Sequence, residues 1–254
     1  MKYTIFSALA ALVLCSLALN SFAKKDTVEL DEARFIFEIN YTDGDIGVQL
    51  ILDSDPFDSI KGFTPDGQLF FQMQGKNSLM DLGITENFFE SNEPLFRGED
   101  AEITIEEILD MFPEGDYELQ GMTVEGLKLE GTATLSHVLP CGPVITSPAG
   151  NPDPDNTVIA WNDVTEEIDP ETGDCVPSDD VDIIAYEVIV ENDDVQQIVF
   201  DVLLPGSANS ITVSPEFLDF DTEYDLEVIA IQNNDGEYGN QTITEDDFTT
   251  SEEP

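Results

Sequence analysis

Between residues 140 and 254, apolar and polar side chains alternate in short runs separated by Gly, Pro, Asn and Asp. The runs cover residues 144–146, 157–162, 183–191, 198–203, 211–214, 223–232 and 241–250. In the run at 223–232, Tyr224, Leu226, Val228 and Ala230 share one side, with Asp225, Glu227 and Ile229 on the other. In the run at 183–191, Tyr186, Val188 and Val190 oppose Glu187 and Glu191. A period of two with one apolar face is what a strand needs when its sheet packs on another sheet. Seven such strands in succession predict a Greek-key sandwich.

Upstream, residues 34–39, 47–52, 68–74, 116–122 and 127–135 also read as strands. Asp43-Gly44-Asp45 and Val124-Glu125-Gly126 have the composition of hairpin loops. A short helix is expected from Ile105 to Met111, because Thr104 and Glu107 form a capping box and Pro113 with Gly115 ends the run. A second short helix is expected over residues 78–81, stopping at Gly83. The first half therefore reads as a mainly-β antiparallel domain, a second sandwich with one or two short helices. The Phe pairs at 70–71 and 88–89 read as core.

Residues 1–23 carry a different pattern. Lys2 is followed by an apolar run from Ile5 to Leu19, and Ser21 and Ala23 are small residues at cleavage spacing. This is the pattern of a secretory signal peptide that is removed on export, which places the mature chain in the periplasm or outside the cell. The competing reading lipidates Cys15, and the bulk of Leu14 opposes it. No second long apolar run follows, so no membrane span is expected in the mature chain. Cleavage after Ala23 leaves Cys141 and Cys175, an even pair that an exported protein oxidises to a disulfide. A reactive thiol is the poorer reading, because Asp174, Asp179 and Asp180 oppose a thiolate.

Charge narrows the function. The chain has 55 Asp plus Glu against 8 Lys plus Arg, a formal net charge of -47. Nucleic-acid binding needs a basic face and is excluded on these counts. Every Lys and Arg lies before residue 129, and Pro140-Cys141-Gly142-Pro143 makes a natural connector. The expected organisation is a signal peptide at 1–23, a mainly-β domain at 24–138 and a sandwich domain at 139–254. The acidity suits either a solvated coat in saline surroundings or a surface that captures basic partners or divalent ions.

Within the second half, Val158-Ile159-Ala160-Trp161, Tyr186-Glu187-Val188 and the stretch from Phe217 to Tyr224 followed by Leu226, Val228 and Ala230 resemble a fibronectin type III domain. The resemblance implies that Trp161 and Tyr186 pack in the core and that Leu218 and Tyr224 mark the turn into the sixth strand. Phe248-Thr249-Thr250 resembles the last strand. The sequence departs from the family in an acidic insert at residues 166–182 and in the Cys141–Cys175 pair, read here as a staple from the insert to the first strand. As a whole, the chain is similar to uncharacterised exported bacterial proteins in which a β domain precedes such a module.

Candidate chemistry is sparse. His137 is the single imidazole, better read as a satisfied residue between the halves than as a catalyst, and no zinc ligand set or phosphate loop is present in the sequence. Calcium is the cofactor to consider. Asp43 and Asp45 flank a glycine in a loop free to turn, with Asp53, Asp55 and Asp58 expected in the next turn, although the spacing is not that of an EF-hand. Tyr41 and Tyr238 are the rings left for a sugar platform once Trp161 is buried. The expected function is a non-catalytic exported protein whose fibronectin-like module acts as a spacer or a surface for a protein or envelope partner. The alternatives are a calcium-stabilised adhesion-type protein and a carbohydrate-active hydrolase using paired carboxylates.

Overall fold

The computed structural model describes residues 27–192 and 197–254; the expected leader at 1–23, with Cys15, lies outside them. The first half runs β1 (Thr27–Glu29), β2 (Glu32–Asn40), β3 (Asp45–Phe63), β4 (Leu69–Gln74), α1 (Ser78–Leu82), β5 (Ile84–Glu90), α2 (Ile105–Met111), β6 (Gly115–Thr123) and β7 (Lys128–Leu135). β3 organises this half. Its leading part pairs with β2 and β5, and its trailing part pairs with β4 and β6. The change of partners falls around Pro56, which has no N–H to give to a ladder.

One long strand thus serves two leaves, and the core lies between them. The Phe35 ring of β2 is 4.7 Å from Tyr117 of β6 and 5.2 Å from Phe70 of β4. Phe37, Phe57, Ile60 and Leu119 are buried with them. This corrects the expected acidic turn, because Asp53, Asp55 and Asp58 lie inside β3. It also corrects the reading of the Phe pairs. Phe70, Phe71 and Phe89 pack against the core, whereas Phe88 is 61% exposed. α2 begins at the expected capping box and buries Ile105, Ile108 and Leu109.

The second half contains β8 (Ile145–Ser147), β9 (Val158–Trp161), β10 (Glu166–Ile168), β11 (Cys175–Pro177), β12 (Ile183–Asn192), β13 (Gln197–Pro205), β14 (Ser210–Thr212), β15 (Glu223–Asn234) and β16 (Glu237–Thr249). Strands β14-β9-β8 form one sheet, and β16-β15-β12-β13 form the facing one. This is the strand order of a fibronectin type III-like sandwich. Trp161 and Tyr186 are buried between the sheets with ring centroids 5.3 Å apart. Leu218 is buried as well, and the Tyr224 hydroxyl accepts the Asp219 N–H at 2.7 Å, closing the corner before β15.

The acidic insert forms the β10–β11 hairpin, and Cys141 and Cys175 are bonded. The staple does not reach the first strand of the sandwich. Cys141 precedes β8, and its N–H donates to Glu166 O, so the hairpin is fastened to the connector. Ile168 and Cys141 pack into the core of the first half, which gives the insert a reason to fold where it does.

The two halves share a sheet. β16 pairs in parallel with β2, with Gln241 opposite Glu38, Thr242 opposite Ile39 and Ile243 opposite Asn40. The join is reinforced by side chains. Asn240, 1% exposed, accepts the Phe37 N–H and donates to Ser136 O and Val138 O. The Thr242 hydroxyl donates to Pro140 O at 2.6 Å. A Cβ at Gly142 would lie 2.4 Å from Thr244 Oγ1 and 2.8 Å from Tyr41 Cβ, so only glycine lets the connector pass this close.

Candidate functional site

Where β2, β3, β5 and β16 meet, the register sets acids side by side. Gln241 faces Glu38, Glu38 faces Gly47, and Gln49 faces Glu90. The loop after β5 then folds Glu93 back over the sheet. A Cβ on Gly47 would sit 2.7 Å from Glu93 Cγ, so the bare backbone there makes the room. Carboxylate oxygens of Glu38, Glu90 and Glu93 lie within 4.8 Å of one another. The side-chain amide of Gln241 donates to Glu38, and that of Gln49 donates to Glu90 at 3.2 Å. Among the described residues the ion pairs are Arg34–Glu32 and Lys128–Glu130, and neither reaches this cluster.

Crowding without cations raises the proton affinity. Burial pushes the Glu38 carboxyl up to about 7; the Gln241 amide opposes the rise, while the Glu90 and Glu93 charges add to it. Glu93 is raised by burial, then by Glu90 and Asp45. Asp45 is raised by burial, then by Asp43. One oxygen of Asp45, Oδ1, is shielded from solvent and has no hydrogen-bond partner among the described residues.

The expected loop acids are therefore at the edge of this group, with Asp43 exposed and Asp45 half-buried at the start of β3. At neutral pH such a cluster can hold a shared proton or a divalent cation. Glu38, Glu90 and Glu93 were not legible as a group in the sequence. Three acids scattered over 56 positions carry no signal in a chain with 55 Asp and Glu, and only the register of three strands brings them together.

The other expected residues fall elsewhere. His137 sits at the seam with a ring nitrogen 2.8 Å from Phe112 O, and its ring centroid is 6.1 Å from that of Phe37. Tyr41 is not an open platform. The Arg97 guanidinium lies 4.1 Å above its ring centroid, and its hydroxyl is 3.1 Å from Cys175 Sγ. Tyr238 is 37% exposed and carries Arg34 at 5.7 Å on its ring. It borders a cleft of about 680 Å³ that Leu30, Ala33, Leu203 and Pro205 also line. A second groove, of about 480 Å³, lies along Glu191, Asp225, Glu227, Glu245, Asp246 and Asp247.

No protein-family model matches the sequence, and no curated protein matches it. Solved structures align over most of the chain but superpose poorly. A two-domain fibronectin type III segment of chicken tenascin is 13% identical, covers 87% of this chain and 99% of its own, and superposes with a TM-score of 0.29. The first three fibronectin domains of chicken CNTN1 are 10% identical over 89% of this chain and 68% of their own, with a TM-score of 0.33. A tetra-tandem repeat from the extending region of a large adhesion protein is 14% identical over 88% of this chain and 48% of its own, with a TM-score of 0.30. The fibronectin type III-like fold of the second half rests on its strand order and on the Tyr224 corner.

Proposed function

We propose that the chain is an exported, non-catalytic acidic protein of two β units, 24–138 and 139–254, whose fibronectin type III-like module serves as a spacer and protein-interaction surface. The parallel join of β16 to β2 carries this reading. It turns two units into one sheet, clamped by Asn240 and Thr242, and a stiff joint is what a spacer requires. The test is quantitative capture from the native envelope fraction by the chain lacking residues 1–23, with a saturable protein partner as the expected result. Polysaccharide hydrolysis that disappears in Glu38→Gln or Glu90→Gln would overturn the reading in favour of a two-carboxylate hydrolase.

A second reading is supported by the shielded, unpartnered Oδ1 of Asp45 beside Asp43 and Glu93. Here a calcium ion takes oxygens from Asp45 and its acidic neighbours and stabilises the loop. Thermal unfolding with millimolar calcium against chelator decides it. A rise that Asp45→Asn removes supports the ion, and equal midpoints dismiss it.

A further inference from the structure

The sheet of the second half ends at β13, which pairs with β12 and closes the strand order. Its residues 197–205 read QIVFDVLLP. Edge strands of this length in soluble proteins are blunted by lysine, by inward charges or by a covering element. β13 carries no Lys or Arg, and among the described residues no further strand covers its outer edge. Its protection is limited to a register shift at Val190/Glu191, one acid at Asp201 and a terminal Pro205.

Apolar surface gathers along this border. Ile198 is 52% exposed and Leu203 47% exposed, and the half-buried Phe200 packs on the exposed Phe217 with ring centroids 5.9 Å apart. The charge beside it is mainly acidic. Asp201 and Glu187 interact directly on the outward face, and Glu227 follows on the next strand. Burial, then Asp201 and Glu227, push the Glu187 carboxyl up to about 6, opposed only by Arg34.

We infer that the free edge of β13 is a strand-addition site for an extended partner segment in which basic and apolar residues alternate. The inference rests on the protein-interaction reading above and names the surface and the chemistry of its partner. Main-chain groups of the edge supply the ladder, as in other strand-addition complexes. The alternation follows from the period of two. Side chains of an added strand on one face lie beside Asp201 and Leu203, and those on the other lie beside Phe200, Val202 and Leu204. A lysine or arginine beside Asp201 meets the Glu187 pair and relieves its crowding. Charge also selects against a second copy of this chain. Two molecules of net charge -47 repel, and edge-to-edge pairing would bring two Asp201 borders together.

The probe is a fluorescent nine-residue peptide alternating Lys and Val, titrated by anisotropy against the chain lacking residues 1–23 at about 0.15 M salt. Saturable binding is expected, together with slowed amide exchange along β13. N-methylating alternate peptide amides keeps the charge and removes one bonding edge, and at least about tenfold weaker binding is expected. Asp201→Lys, at an exposed side chain whose contact in the fold is the like-charge crowding with Glu187, is expected to weaken the parent peptide by about tenfold and to favour an alternating Glu and Val peptide. Equal binding of the N-methylated peptide, exchange protection elsewhere, or no saturable binding overturns the strand-addition site. The two readings separate in the capture assay. A partner held equally by wild type and Asp201→Lys leaves the interaction reading standing and removes the edge, whereas no partner for either chain removes both.

Discussion

Glu38 shows how a single residue acquires properties its composition does not give it. In an unfolded chain its carboxyl titrates near 4.5, and in the fold burial and two neighbouring glutamates move it to about 7. The folded state therefore holds more protons than the unfolded one between these values, and stability falls as pH rises through that window. The favourable contribution is complete below about pH 4.5 and is lost above about pH 7. Replacing the group by a neutral isostere should flatten this slope. Unfolding free energies from urea titration of Glu38→Gln are expected to exceed wild type by roughly 1 to 3 kcal/mol at about pH 8 and to converge with it near pH 4. A variant equally sensitive to pH would mean that the slope belongs to the general acidity of the chain.

At the scale of elements, β3 and the β10–β11 hairpin are the instructive cases. Residues 47–52 read as an ordinary strand, and Asp53 and Asp55 beyond them look like its end. The strand instead continues to Phe63, because Phe57 and Ile60 find the opposing leaf and their burial outweighs the local polar signal. β5 carries no clear strand signal for a related reason. Its Phe88 and Phe89 point to opposite faces of the sheet, so a pair read as core contributes one half-buried and one exposed ring. The hairpin is held by the disulfide, which closes a loop of 34 residues. Removing it with Cys141→Ser plus Cys175→Ser should cost about 3 to 4 kcal/mol in denaturant unfolding. Exchange of the hairpin amides should accelerate more than that of β15, since the hairpin depends on the connector for its place.

For the molecule as a whole, the shared sheet predicts shared unfolding. Calorimetry should show one transition, because separating the halves exposes β2 and β16 edges and leaves the Asn240 partners unpaired. Two resolved transitions in the wild type would contradict the stiff joint. Asn240→Ala should cost about 2 to 4 kcal/mol, since it strands one buried N–H and two carbonyls at the seam, and it should broaden or split the transition. Added salt should raise the midpoint of every variant, because a net charge of -47 repels itself less when screened.

Local pattern was enough for the second half. Alternation of Tyr186, Val188 and Val190 against Glu187 and Glu191 defines a strand and its buried face without reference to any partner, and the turn residues between runs limit how such strands connect. The helix at Ile105–Met111 was legible for the same reason, its cap and stop lying within a few residues of each other. What the chain could not reveal locally was any feature made by residues distant in sequence. The union of β2 with β16, the gathering of Glu38, Glu90 and Glu93, and the burial of Asn240 each join segments dozens to hundreds of positions apart. Side-chain period specifies which face of a strand is buried. It carries no information about which edge that strand will share, because every edge offers the same N–H and C=O groups, and only packing of the whole core chooses among them.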